Sequence, residues 1–283
     1  MTKIIQMYSY KGGAGRTVST VNLASILSVD HKKTVVCIDM DMEGAGLGVV
    51  LGVHNKLVSE VGRKCVQDVF GPEKVMSHVD FEENWWPRIH FDIFKTLGIS
   101  VQGGSFLAVP AAFAEQRTVD WSDKVEKDFT HFLRNITHLV KPDFIFLDSA
   151  SGLADWACLA MDCSQEIVVF FRWNKQSIEG TIKVVNFITK SDLPTDRILL
   201  VPSAVPNITE NSSRYRTILE DSRTRLLIET GADKEERLVL FDGVREAVGL
   251  KWEERLLNIC SDLAPDELDT LTDLRKLAHL LLT

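Results

Sequence analysis

Seven short apolar runs punctuate the chain, at Ile4–Tyr8, Thr34–Ile38, Phe106–Pro110, Phe144–Leu147, Glu166–Phe171, Arg197–Val201 and Leu238–Phe241. They are continuous rather than strictly alternating, the pattern of strands buried on both faces of a mainly parallel sheet. Between them lie amphipathic segments of helical length at Val18–Ser28, Asp123–Leu139, Ser177–Lys190 and Arg214–Thr230. Strand alternating with helix predicts an α/β fold: a doubly wound, mainly parallel sheet of about seven strands with helices on both faces. Beyond Phe241 the pattern reads as helical to the end, and Leu268, Leu271, Leu274, Leu277 and Leu281 form one apolar stripe. In such folds ligands bind beyond the carboxyl ends of the strands. The candidate chemistry is sought there.

Composition narrows the picture. The 283 residues are 45% hydrophobic and 25% charged, an ordinary globular balance. With no internal repeat or linker-like stretch, one domain over 1–283 is expected, with a divergent insert around 53–104 and a helical C-terminal segment at 243–283. No apolar run reaches the ~18 residues of a membrane span. The N-terminus runs straight into a polar glycine loop, leaving no room for a signal-peptide core. A cytoplasmic protein is the expectation. Five scattered cysteines without a C-x-x-C pair give no support to zinc or thioredoxin-like readings. A net charge of −8 argues against a surface broadly adapted to nucleic acid.

Three strand ends are unusual. The first run opens into "SYKGGAGRTVST", the second into "DMDMEGAGLG", and the fourth into "DSASGLADW". A glycine-rich turn between strand and helix presents backbone N–H groups and the positive helix end to an anion. Gly12, Gly13 and Gly15 let the backbone wrap a phosphate without obstruction. Thr17 brings the hydroxyl that a phosphate-bound Mg²⁺ takes, and Asp148 follows four apolar residues as a Walker-B carboxylate does. Each motif alone is common in α/β proteins; their joint order and spacing are not.

These residues carry a family resemblance. "KGGAGRT" resembles the deviant Walker A motif KGGxGK[ST] of the ParA/MinD family of P-loop ATPases, in the version with arginine, KGGxGR[ST]. "DMDMEGAGL" is similar to the family's switch I, and "FIFLDSASGL" to its Walker B with switch II. "FFRWNKQSIEGT" is similar to the segment after the next strand in that arginine sub-branch. The resemblance runs from Lys3 to about Leu240 and is thin over Val53–Gly104. It implies binding and slow hydrolysis of ATP to ADP with Mg²⁺, and an ATP-dependent homodimer with two nucleotides sandwiched between subunits. Lys11 would then reach the partner's phosphates, and Arg16 holds the usual P-loop lysine position. Thr17 and Asp148 would hold the metal, and Asp41 would orient the attacking water. Gly152 would sense the γ-phosphate. Gly12, Gly13, Ala14, Gly15 and Val18 would complete the phosphate loop, with the adenine near Ser203 and Asp242.

Physical reasoning supports these roles independently, because phosphoryl transfer mainly needs charge neutralisation and an in-line water. Asp39 and Asp41 alternate on a strand and so cannot point the same way. Asp41, further into the loop, is the expected catalytic carboxylate; Asp39 is expected to fix the phosphate loop, and Glu43 to be solvated. Two departures bear on rate. Val18 replaces a Ser/Thr common in the family, and Arg16 offers a planar fork where lysine offers a point charge.

Other features compete. Arg214, Arg216, Arg223 and Arg225 suggest a DNA-binding helix, yet 214 and 225 fall opposite 216 and 223, with acids interspersed; a solvated helix is favoured. The leucine stripe is flanked by acids, the wrong sign for anionic lipid, so packing on the domain or on a partner is favoured over a membrane tail. Trp85 and Trp86, read as extended, would face opposite ways, one buried and one available to an interface, or both would anchor the insert. Asn174 and Gln176 line a dimer cleft or cap a helix. Three functions follow: an ATPase switch that recruits or releases a protein partner, a nucleotide-binding module with little hydrolysis, and a DNA-partition ATPase. The first is preferred.

Overall fold

The computed structural model describes residues 1–70, 78–113, 119, 121–206, 213–232, 236–251 and 253–283. Its centre is an eight-stranded sheet of order β3-β4-β2-β5-β1-β6-β7-β8. The strands are β1 (Lys3–Tyr8), β2 (Thr34–Met40), β3 (Phe91–Asp92), β4 (Ser105–Val109), β5 (Phe144–Ser149), β6 (Glu166–Phe171), β7 (Arg197–Pro202) and β8 (Leu238–Leu240). All neighbours are parallel except β3, which pairs antiparallel with β4 at the edge. The seven apolar runs each become a strand. The two-residue β3 is too short to leave a periodic signal.

The unbroken apolar runs are explained by burial on both faces. Val35 and Cys37 of β2, Phe144 and Phe146 of β5 and Val168 and Phe170 of β6 face one core. The helices Arg16–Val29 and Pro265–Leu282 cover that face, supplying Leu23, Ile26, Leu274 and Leu277. The alternate residues Val36, Ile38, Ile145 and Leu147 meet Phe129, Phe132 and Leu133 of the helix Asp123–Val140. Ile167, Val169, Ile198 and Leu200 meet Ile178, Val185 and Leu226 from the helices Lys175–Lys190 and Ser213–Thr230.

Two sequence expectations need correction. Residues 243–264 hold no α-helix among those described, only short 3₁₀ turns at Gly249–Lys251 and Leu257–Ile259. This segment is held by side chains instead: Asn22 Oδ1 accepts from Leu257 N–H at 2.7 Å, and Arg245 and Arg255 pair with Asp273 and Glu267 of the last helix. Trp85 and Trp86 are not on an extended chain either. Trp85 closes a π-helical turn at Phe81–Trp85 and Trp86 opens a short helix at Trp86–Ile89. Trp85 is buried beneath Lys64, and Trp86 stacks on His90, so both anchor the insert.

The leucine stripe packs on the domain. Leu271, Leu274, Leu277 and Leu281 are buried, whereas Leu268 is half exposed and falls outside the packed face. No described helix is long and apolar enough to cross a membrane.

Candidate functional site

Strands β2, β5 and β1 are adjacent, so the three unusual strand ends open side by side. The chain runs from β1 out to β2 and later returns with β5 between them, and this change of direction leaves a crevice at the carboxyl edge. The loop after β1 turns through Gly13 and Gly15, whose φ values of 75° and 70° are left-handed and suit glycine. Gly15 caps the helix Arg16–Val29 with no side chain, so the first-turn N–H groups stay available to an anion. Ser203 at the end of β7 donates to the Ala14 carbonyl at 2.5 Å, tying the loop to the sheet.

Beneath the loop, four expected residues converge. Thr17 Oγ1 donates to Asp148 Oδ2 at 2.8 Å, and Arg16 Nε donates to Asp148 Oδ1 at 2.8 Å. The same guanidinium reaches Asp41 Oδ2 at 3.4 Å. Burial works against the arginine charge, but Asp148 and then Asp41 outweigh it and hold Arg16 above its ordinary value. Arg16 is therefore turned inward to the carboxylates at the floor of the crevice.

Asp39 is fully buried beside Asp148, its register neighbour. Burial first, and the Asp148 charge second, push its carboxyl well above the usual range. Its oxygens accept from the backbone N–H of Asp41 and of Leu47, each at 3.1 Å. Asp39 thus shapes the loop after β2, not the phosphate loop as expected from sequence. The alternation argument fixes which way it points but not which segment it meets. Asp41 sits at the edge of the crevice and accepts from Gly44 N–H at 2.9 Å. Glu43 is exposed.

A cavity of about 260 Å³ over the loop is lined by Gly12 through Val18, Ser9, Asp41, Ser151 and Glu254. An adjoining cleft of about 240 Å³ shares Gly13, Ala14, Gly15, Val18 and Glu254 and extends to Ser203, Arg172 and Leu250. Gly152 has a left-handed φ of 78°, and its carbonyl accepts from Tyr8 Oη at 2.9 Å. Lys11 is exposed, with no ion pair among the described residues. Asp242 is not brought to the loop; it lines a separate cavity with Trp173, Arg216 and Arg223. Of the suspected DNA-binding arginines, Arg225 is engaged by Glu179 and Glu229, and the side chain of Arg214 lies outside the description. Asn174 caps its helix, accepting from Ser177 N–H. Sequence reasoning missed Tyr8, Thr20 and Glu254. Thr20, whose hydroxyl lies 3.3 Å from Asp148 Oδ1, stands one turn beyond Arg16.

The pairing of Thr17 with Asp148 places a hydroxyl and a carboxylate within one ion's reach, an oxygen set suited to Mg²⁺ that draws its other ligands from water and phosphate. Among the described residues no group of three or more His, Cys, Asp or Glu side chains could hold a metal.

Comparison with known proteins agrees with this architecture. A family model described as an AAA domain matches residues 2–199. The septum site-determining protein MinD of Buchnera aphidicola (subspecies Baizongia pistaciae) is 24% identical over 191 residues, 68% of this chain and 60% of that protein. The chain thus spans about three fifths of that relative's length. The structure of MinD from Pyrococcus horikoshii, complexed with Mg-ADP, superposes with a TM-score of 0.64 at 19% identity, covering 99% of this chain and 96% of that one. A MinC:MinD complex from Aquifex aeolicus gives 0.66 at 17% identity, covering 98% and 96%. With the family model spanning well over half its length and the fold shared throughout, the chain belongs to the ParA/MinD family of P-loop ATPases.

Proposed function

We propose that this chain is a Mg-ATP-dependent dimerising switch that binds and slowly hydrolyses ATP to recruit or release a protein partner. The observation that carries the reading is the convergence of an uncapped glycine loop with Thr17, Arg16, Asp148 and Asp41. The free N–H groups of the loop and helix start take the phosphates. Thr17 and Asp148 hold Mg²⁺, which when bound neutralises phosphate charge. Arg16 supplies the cation in cis, and Asp41, at the crevice edge, orients the attacking water. Gly152, between the β5 carboxylate and the next helix, senses the γ-phosphate. The cleft beside Val18, Ser203 and Leu250 is apolar enough for a base. Asp242, in its separate cavity, is less well placed for that role.

Lys11 makes the case for a dimer. It projects from the loop into solvent while the buried Arg16 serves the same loop from below, so its charge is available to phosphates on a second subunit. Lys11→Ala is expected to bind nucleotide as a monomer and to lose ATP-dependent dimerisation in sedimentation. Unchanged dimerisation of this variant overturns the trans role. A second reading, binding with little hydrolysis, draws on the contact of Arg16 with Asp41, which restrains the carboxylate. Phosphate release on incubation with Mg-ATP decides between them. Salt-sensitive binding to arbitrary duplex DNA is not expected, because the four arginines do not share one helix face and Arg225 is paired with Glu179 and Glu229.

A further inference from the structure

Glu254 stands where two cavities meet. It lines both the space over the glycine loop and the adjoining cleft that runs to Arg172 and Leu250. Its carboxylate is exposed and has no hydrogen bond or ion pair among the described residues. Its chain neighbour Arg255 is held by Glu267 and Asp262. The backbone beside Glu254 is also fixed. The Arg255 carbonyl accepts from Asn22 Nδ2 at 3.1 Å, and Leu257 N–H donates to Asn22 Oδ1. Asn22 belongs to the same helix that begins at the glycine loop. The backbone next to Glu254 is therefore tied to the helix that begins at the glycine loop.

A free carboxylate beside a phosphate cavity is repelled by phosphate oxygens, and the repulsion grows as water is excluded. Its favourable partner is a neutral donor next to the phosphates. In a nucleoside triphosphate the group between phosphates and base is the sugar, whose hydroxyls donate to carboxylates as they do in dinucleotide-binding folds. We propose that Glu254 accepts hydrogen bonds from the ribose hydroxyls and makes the site selective for ribonucleotides over deoxyribonucleotides. The inference rests on the reading of the loop as an ATP site.

The experiment titrates ATP, 2′-deoxy-ATP and 3′-deoxy-ATP, with Mg²⁺, into the full chain and into its Glu254→Ala and Glu254→Gln variants. The wild type is expected to bind ATP about tenfold more tightly than at least one deoxy analogue, the worth of one charged hydrogen bond. Glu254→Ala should lower ATP affinity to the level of that analogue or below, and weaken the analogue, which keeps one hydroxyl, by less than it weakens ATP. Glu254→Gln, which keeps an uncharged acceptor, should fall between. Melting temperatures should match the wild type, because the side chain is exposed and has no partner among the described residues. Equal binding of all three nucleotides by the wild type overturns the inference. So does an equal loss for all three in Glu254→Ala, or a loss that follows Mg²⁺ concentration instead of the sugar. Binding of no nucleotide by the wild type overturns the ATP-site reading itself.

Discussion

Arg16 and Asp148 form a buried ion pair, Nε to Oδ1 at 2.8 Å, with the arginine side chain 8% exposed and the aspartate sealed from solvent. The pair couples the start of the first helix to the end of β5. It also sets the site's electrostatics, since Asp39, Asp41 and Asp148 crowd one end of the sheet around this one guanidinium. Any ligand cation entering the floor of the crevice meets an Asp148 whose two oxygens are already engaged, by Arg16 and by Thr17.

Thr17→Ala removes the hydroxyl at Asp148 Oδ2. Thr20 cannot substitute, because its hydroxyl is buried at the other carboxylate oxygen and donates to the Arg16 carbonyl. Mg²⁺-dependent ATP binding should be abolished, seen as titrations that no longer differ between Mg²⁺ and EDTA. Tight binding with the wild-type magnesium dependence would show that the hydroxyl is not a metal ligand.

The phosphate loop, Asp41 and Asp148 were legible as candidates because each follows an apolar run within a few residues, and Thr17 because it closes the glycine motif. Glu254 was not, because it lies in a segment that reads as helical but forms only short turns, placed beside the loop through the contacts of Asn22 with Arg255 and Leu257. The partner of Asp39 was misjudged for a related reason. Strand alternation gives the direction of a side chain, whereas the N–H groups that meet it come from how the following loop folds back. Leu268 shares the helical spacing of its stripe, yet it is half exposed while Glu267 beside it is buried, so spacing alone does not mark the packed face.

That last distinction is measurable. Leu277 is fully buried against the core under the first helix, so Leu277→Ala should cost ~2–5 kcal/mol in denaturant unfolding. Leu268→Ala, at a half-exposed position, should stay within ~0.5 kcal/mol. Similar small effects for both would mean that the C-terminal helix is not docked in solution.

Asp41→Ala should retain ATP binding and lose turnover, accumulating as dimer with ATP, because in the proposed reaction it removes the water-orienting carboxylate while leaving the phosphate loop, Thr17 and Asp148 in place. Gly44 offers an independent handle. A Cβ there would stand 3.0 Å from both Asp41 carboxylate oxygens, so Gly44→Ala must displace the carboxylate without deleting it. Its turnover should fall by less than that of Asp41→Ala, with ATP affinity preserved. Light scattering that shows only monomeric Asp41→Ala under saturating Mg-ATP would count against both the role and the sandwich architecture.

Arg16 separates the readings most sharply. Its Nε and its terminal nitrogen serve different carboxylates, Asp148 and Asp41, a division of labour that lysine's single ammonium cannot copy with the same geometry. In the proposed reaction the γ-phosphate offers further oxygens to that fork. The fixed plane should then tolerate poorly the shift of charge toward the β–γ bridge, which makes hydrolysis slow. Arg16→Lys should keep ATP binding and keep or raise turnover. Arg16→Ala should lose ATP affinity by ~10-fold or more, the ~1.5–3 kcal/mol of a charged hydrogen bond. It should also lose stability, because removing one member of a buried pair costs ~3–5 kcal/mol through the stranded charge. Nucleotide titration must therefore be read beside a melting curve, at a temperature where all three proteins are folded. Wild-type ATP affinity in folded Arg16→Ala would leave Arg16 as a structural partner of Asp148, and the phosphate loop as one that works on backbone amides alone.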